Sequence, residues 1–205
     1  MLAGFASIFR TPDLRKKVLI TLGLLALYRL GCFVPVPGVS YTSVQKCIEV
    51  VQGNSLYGLI NPFSGGALLQ LSVFALGVVP YITASIIIQL LTVVIPRLEA
   101  LKKEGQSGQA KMTQYTRYLT VGLAILQCTG IVALARTPGR LFSGCSEQIV
   151  PNQSIAVILV MILVMTTGTV MVMWFGELIT ERGIGNGMSL LIFASILAGF
   201  PAQFA

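Results

Sequence analysis

The chain has 205 residues and a formal net charge of +7, and 55% of its residues are hydrophobic while only 10% are charged. A soluble domain carries about 25% charged residues, so this composition indicates an integral membrane protein. The lack of histidine excludes histidine-dependent catalysis, and no C-x-x-C pair supports a zinc site of the usual spacing. We therefore predict no metal site and no cofactor, and we assign the positive charge to membrane topology rather than to nucleic acid.

Five segments are long and apolar enough to cross a bilayer as helices, which predicts an all-α polytopic fold. The N-terminal stretch lacks a small-residue cleavage site before its basic cluster, so we expect the first segment to stay as a span. The predicted spans cover residues 18–34, 75–95, 118–135, 154–175 and 184–200.

Basic residues predict the orientation of these spans. Lys and Arg concentrate before the first span and again in the connection 96–117, so both regions are expected on the cytoplasmic side, together with the N-terminus. The connection 96–117 is polar and mixed in charge, and we predict a solvated cytoplasmic loop there.

Residues 61–74 read NPFSGGALLQLSVF, a turn-like start followed by an apolar stretch long enough for only two or three helical turns. Unpaired backbone in lipid costs several kcal/mol per group, so this half-helix needs either the outer interface or a cavity between the spans. Interfacial helices usually carry Lys, Arg and Trp, and residues 61–74 contain none of them. We favour the cavity.

Glycine occupies every second position from Gly183 to Gly187 at the start of the fifth span, which predicts close approach to a neighbouring helix. Two i, i+4 apolar pairs, Val78 with Ile82 and Met188 with Ile192, follow glycine-bearing helix starts. At one depth they would form an apolar constriction that excludes water. Lipid-facing or core positions are the alternative, and the sequence period leaves both open.

Four runs, FSGGAL, PYITASIIIQLLTVVIP, KKEGQSGQAKMTQYTRYLT and WFGELITERGIGNGMSLLIFA, resemble the SecY family, the channel subunits of the bacterial protein translocase. The resemblance extends over nearly all of the chain and is weakest in residues 39–56 and 136–153. It implies the N-terminal half of a channel in the bacterial cytoplasmic membrane, with five spans and a short re-entrant plug helix, related to a second half by inverted topology.

The resemblance also implies site residues. Val78, Ile82, Met188 and Ile192 match this half's share of the pore ring, with Met188 where isoleucine is common in the family. Thr83 and Gln127 match polar positions of the lateral gate, through which transmembrane segments pass into lipid. The plug is expected at Asn61, Pro62, Phe63, Ser64, Gly65, Gly66, Ala67, Leu68, Leu69, Gln70, Leu71 and Ser72.

The partners implied are the membrane subunits SecE and SecG, the SecA motor, the ribosome, signal-sequence-bearing polypeptides, the lipid bilayer and the second half of the channel. The chain contains no G-x-x-x-x-G-K-[ST] phosphate loop, so energy would come from a partner. We expect no enzymatic activity. A secondary transporter is the rival reading, but it predicts ionisable residues inside spans, and the five apolar cores contain no Asp or Glu.

The four cysteines fall into two groups. Cys47 and Cys145 lie in connections predicted to face outward, where a disulfide can persist, although two unpaired thiols fit the sequence equally. Cys32 and Cys128 lie in predicted spans and are expected to be small packing residues.

Overall fold

The computed structural model describes residues 12–51, 67–68, 70–137, 145 and 147–204, with side chains as far as residue 48 in the first stretch and residue 198 in the last. Residues 61–66 and 69 of the predicted plug therefore lie outside the described residues. Within the described part the fold is all-helical, without strands, apart from one isolated antiparallel bridge between Pro35 and Ser72.

Seven helices make up the described part of the fold. They are α1 Pro12–Cys32, α2 Tyr41–Val51, α3 Val79–Val94, α4 Pro96–Lys103, α5 Gln106–Arg136, α6 Ile155–Arg182 and α7 Gly187–Phe204. Helix α5 packs against α3 and α6, and α6 packs against α1 and α7, so α6 lies at the centre of the bundle.

Two of the described helices, α5 and α6, are long and apolar enough to cross a membrane, and α3 with α4 forms a third, bent candidate. Helix α7 is apolar up to Ala198 but shorter. Helix α1 is long enough but is not among these candidates, because the charged residues Arg15, Lys16 and Lys17 occupy its first turns. The number of five spans remains a prediction.

The predicted solvated loop over 96–117 is wrong in its conformation, because α4 and the first turns of α5 occupy it. Both segments contain good helix formers, and an i, i+4 ion pair of 2.7 Å joins Glu99 to Lys103. Pro96 forces Ile95 into an extended conformation, with φ −101° and ψ 111°, and the axes of α3 and α4 therefore meet at 102°.

Residues 67, 68 and 70–78 follow a non-helical path between the helices. The described part of the predicted plug forms turns rather than a helix, and Leu71 has a φ of +47° there. Gly77 has a φ of +53°, which glycine adopts without steric cost. The turn ends at α3, where Pro80 lies in the first turn and lacks the N–H that a helix start would leave unpaired.

The buried apolar residues form two clusters. We call the first the cap cluster; it includes Val44, Cys47, Leu71, Cys145 and Met161. We call the second the ring cluster; it includes Tyr28, Phe74, Val78, Met188 and Leu191. Residues 67–78 contribute to both clusters, so this non-helical segment lies in the middle of the core.

Candidate pore, gate and outer cap

The described part of the predicted plug is buried in protein rather than spread over a surface. Ala67, Leu71 and Ser72 are at most 1% exposed. Their backbone is paired locally and with residues 34–36: the Ser72 N–H donates to the Ala67 carbonyl over 3.1 Å, and the Leu71 carbonyl accepts from the Val36 N–H over 3.1 Å. This pairing removes the cost of unsatisfied amides at membrane depth.

Glycines on two helices allow this segment to approach them closely. A Cβ atom on Gly168 of α6 would collide with the backbone carbonyl of Val73, and one on Gly31 of α1 would collide with the ring of Phe74. Small residues in membrane helices permit this kind of backbone contact. Residues 73 and 74 are therefore held between α1 and α6.

The four predicted ring residues share the ring cluster. Val78 and Met188 are buried at 5% and 8% exposure, and Ile82 and Ile192 pack against the cluster while remaining partly exposed. The sequence period left open whether these side chains meet. In the structure the pair from the start of α3 and the pair from the start of α7 belong to one apolar group.

Three of these residues also line a groove of about 460 Å³ between α3, α5, α6 and α7. Its lining combines apolar side chains, among them Ile82, Met188 and Ile192, with polar and charged side chains. The lining residues are Tyr81, Ile82, Ser85, Ile86, Thr113, Arg117, Glu177, Thr180, Glu181, Asn186, Met188, Ser189 and Ile192.

A two-point ion pair forms part of the lining of the groove. Arg117 of α5 donates from Nε to Glu177 Oε1 over 2.8 Å and from Nη2 to Oε2 over 2.7 Å. The Glu177 side chain is only 16% exposed, so the pair is partly shielded from water. From the sequence, Arg117 is interpreted only as a charge that sets membrane topology. The feature that could have predicted the ion pair is the acidic residue Glu177, which stands between the apolar neighbours Phe175 and Gly176 and Leu178 and Ile179.

The start of α7 is fixed by caps and by glycine contacts. The Gly187 N–H donates to Thr180 Oγ1 over 2.8 Å, and the Met188 N–H donates to Asn186 Oδ1 over 3.1 Å. A Cβ on Gly187 would collide with the carbonyl of Gly176. The close approach predicted from the glycine repeat is thus confirmed at Gly187, and it sets the position of the neighbouring ring residue.

The two predicted gate residues lie on helices that pack against each other. Thr83 of α3 donates from Oγ1 to the Val79 carbonyl of its own helix over 3.0 Å. Gln127 of α5 has a buried Oε1 atom that accepts no hydrogen bond from the part of the chain that the structure describes. Their role at a gate stays a prediction.

A disulfide joins Cys47 of α2 to Cys145, with a Cα–Cα distance of 5.4 Å. The same junction holds a hydrogen bond of 2.9 Å from the Ser40 N–H to the Ile149 carbonyl and a surface ion pair between Lys46 and Glu147. We call α2 with residues 145 and 147–150 the candidate outer cap. Cys32 and Cys128 are buried free thiols, and the described residues contain no His, Cys, Asp or Glu group suited to a metal ion.

Comparison with known proteins gives consistent results. The SecY family model matches residues 72–205. Protein translocase subunit SecY of Streptomyces coelicolor is 67% identical over 205 residues, which is 98% of this chain and 47% of the relative. The subunit of the same name from Mycobacterium tuberculosis is 62% identical over 206 residues, covering 99% and 46%. The chain thus spans about half the length of these curated relatives.

Among solved structures, a chain of Sec61 in the canine ribosome-channel complex from the endoplasmic reticulum resembles this fold. The TM-score is 0.58 at 16% sequence identity, over 88% of this chain and 36% of that chain. At this identity the likeness supports the fold alone.

Proposed function

The chain belongs to the SecY family, and from this premise we propose that it forms the N-terminal half of a protein-conducting channel in the bacterial cytoplasmic membrane. The channel passes unfolded secretory polypeptides across the membrane and releases transmembrane segments sideways into lipid. The chain is a multi-pass membrane protein with five spans and a cytoplasmic N-terminus. It performs no covalent chemistry.

The observation that carries this proposal is the grouping of Val78, Ile82, Met188 and Ile192 around one apolar cluster, three of which, Ile82, Met188 and Ile192, also lie on the wall of the groove. Apolar side chains of this kind exclude water from a narrow opening. Because ions cannot pass an opening without water, the ring blocks ions even when no plug lies inside it. Met188 is unbranched and flexible, so its part of the ring can adapt to polypeptides of different width.

The plug and the gate follow from the same premise. Residues 61–72 act as a stopper on the outer side of the ring, and the buried turns at residues 67–72 hold its end in the resting state. Helices α3 and α5 form one wall of the lateral gate, and the second half of the channel supplies the other. Thr83 and Gln127 lie on this wall.

The partners follow from the family as well. SecE and SecG complete the membrane complex, and the SecA motor or the ribosome delivers the signal-sequence-bearing polypeptide. Since no phosphate-binding loop is present in the sequence, these partners supply the energy.

Crosslinking tests the ring directly. Single cysteines replace Val78, Ile82, Met188 or Ile192 in a full-length channel whose free Cys32 and Cys128 are changed to Ala. A polypeptide arrested during translocation, carrying a photoreactive or thiol-reactive group, should crosslink to all four positions. Leu126→Cys and Leu163→Cys are the matched controls, because the side chains at these positions are 69% and 64% exposed and point away from the bundle. Both control cysteines should stay unlabelled. No crosslink at any of the four positions would refute the ring.

Deleting residues 64–71 tests the plug. The deletion removes the buried anchor of residues 67–71, so the resting ion leak of channels reconstituted in liposomes should rise. A leak equal to that of the intact channel would contradict the plug assignment while leaving the ring unaffected.

A further inference from the structure

Two buried hydroxyls connect the first and last described helices. Tyr28 of α1 and Ser195 of α7 are both 0% exposed, and their oxygens lie 2.9 Å apart. Ser195 Oγ also donates to the Leu191 carbonyl of its own helix over 2.9 Å. When the single proton of the serine is donated to that carbonyl, the Tyr28 O–H is the donor between the two hydroxyls.

The same tyrosine contacts the segment that leads into the ring. Its aromatic ring stacks on Phe74 with centroids 5.9 Å apart and planes inclined by 8°. The Phe74 carbonyl accepts a hydrogen bond of 2.8 Å from the Gly77 N–H, which fixes the turn immediately before Val78. Tyr28 therefore touches α7 through its hydroxyl and the ring segment through its face.

Ser195 lies on the ring face of α7. It follows Ile192 by three residues and Met188 by seven, so the three side chains project from one side of the helix. Leu191, whose backbone carbonyl accepts the hydrogen bond from Ser195, has a side chain that is fully buried in the ring cluster. A hydrogen bond at Ser195 thus fixes both the rotation of α7 and its depth relative to Phe74 and Val78.

We propose that Tyr28 and Ser195 are positioning residues whose hydrogen bond holds the ring face of α7 against residues 74–78 and keeps the resting pore closed. We call this pair the hydroxyl lock. The inference rests on the proposed function, because it concerns the resting state of that channel. The lock breaks when α7 moves away from α1, and the hydrogen bond can reform when the two helices return.

Two substitutions separate the bond from the packing. Tyr28→Phe removes the hydroxyl and keeps the stack on Phe74. Ser195→Ala removes this acceptor and leaves the buried Tyr28 O–H only the weak acceptor of the Cys32 thiol, which is the more costly change. Hydrogen bonds between membrane helices have modest strength, so the resting leak should rise roughly three- to twentyfold. The Ser195→Ala variant should leak most, and the double variant should match Tyr28→Phe, because it buries no orphaned donor.

The experiment measures two conductances on the full-length channel, purified with its membrane subunits and reconstituted in a planar bilayer. One is the resting leak, and the other is the conductance induced by a synthetic signal peptide. Tyr118→Phe is the matched control, since that tyrosine is 67% exposed, and its leak should equal that of the unmodified channel. The lock acts only at rest, so the peptide-induced conductance should be the same in all variants.

The outcomes are distinct. A raised resting leak in the stated order, with unchanged induced conductance, supports the lock. A normal resting leak in both single variants overturns the lock, even if their melting temperatures fall, and leaves the channel intact. An equal rise in Tyr118→Phe also overturns it. If the unmodified protein shows no peptide-induced conductance, both the proposed channel function and the hydroxyl lock are refuted.

Discussion

Removing the disulfide between Cys47 and Cys145 is expected to lower the stability of the protein strongly. Cys47 is fully buried and Cys145 is 6% exposed, so both lie inside the cap cluster rather than on a mobile surface loop. Alanine is the suitable replacement, because serine would bury a hydroxyl among apolar neighbours. Each single substitution removes the whole bond, so the double variant should lose about as much stability as either single variant.

The magnitude follows from the length of the closed loop. The two cysteines are 98 residues apart in the sequence, and the chain-entropy relation gives about 4.7 kcal/mol for a loop of about 100 residues at 25 °C. Unfolded membrane proteins retain their helices, so α3, α4 and α5 stay stiff within the loop and reduce the figure to about 4 kcal/mol. For a chain of this size this corresponds to a fall in melting temperature of about 8–16 °C.

Thermal unfolding of the purified protein in detergent, with and without reductant, measures the effect. Reductant present during unfolding should bring the unmodified protein down to the double variant and should leave that variant unchanged. Cys32→Ala and Cys128→Ala are matched controls, because both thiols are buried and free; each should cost only about 1 kcal/mol in packing, with no added effect of reductant. Additive losses in the two single variants, or free thiols at both positions by non-reducing mass spectrometry, would refute the reasoning.

Three further predictions concern the site. Gly168→Ala should destabilise the protein by about 1–3 kcal/mol in denaturant unfolding, because the added methyl group collides with the backbone carbonyl of Val73. Gly130→Ala is the control and should cost no stability, because the space around Gly130 is open. Equal effects of the two substitutions would contradict the contact. A double-mutant cycle of Arg117→Lys with Glu177→Gln should give a coupling of about 1–2 kcal/mol, and a value near zero would mean that the two-point pair contributes no stability. Thr180→Val should cost about 0.5–2 kcal/mol by removing the cap of α7, and Thr180→Ser should restore it; no difference between these two would rule out the cap.

The long helices were predictable because their signal is local. Runs of apolar residues locate the end of α5 and the start of α6 to within about one residue, and Pro96 with its extended predecessor marks the bend. Helix α2 was missed, although Val44 and Cys47 carry the three-residue spacing of a buried helical face. The sequence places α2 in a connection where the family resemblance is weakest, and a short helix of this kind depends on the disulfide and on its neighbours for stability.

The path of residues 67–78 could not be predicted from local pattern. Its turns are set by pairing with residues 34–36 and by the space that Gly31 and Gly168 leave open. Arg117 and Glu177 are 60 residues apart, and Tyr28 and Ser195 are 167 apart. Partners at such separations are specified by helix packing, which a pattern of single residues does not encode.

Helix α3 is shorter than the bilayer that it is proposed to cross. Its 16 residues extend about 24 Å, against a hydrocarbon core of about 30 Å. The mostly buried segment 67–78 fills the missing depth at its outer end with protein. In the proposed channel residues 67–72 move outward during translocation, and the lipid beside α3 then has to thin by up to about 6 Å, at a cost of fractions of a kcal/mol per Å. The bilayer then acts as a spring that returns the segment, and thicker lipids should shorten the lifetime of the open channel.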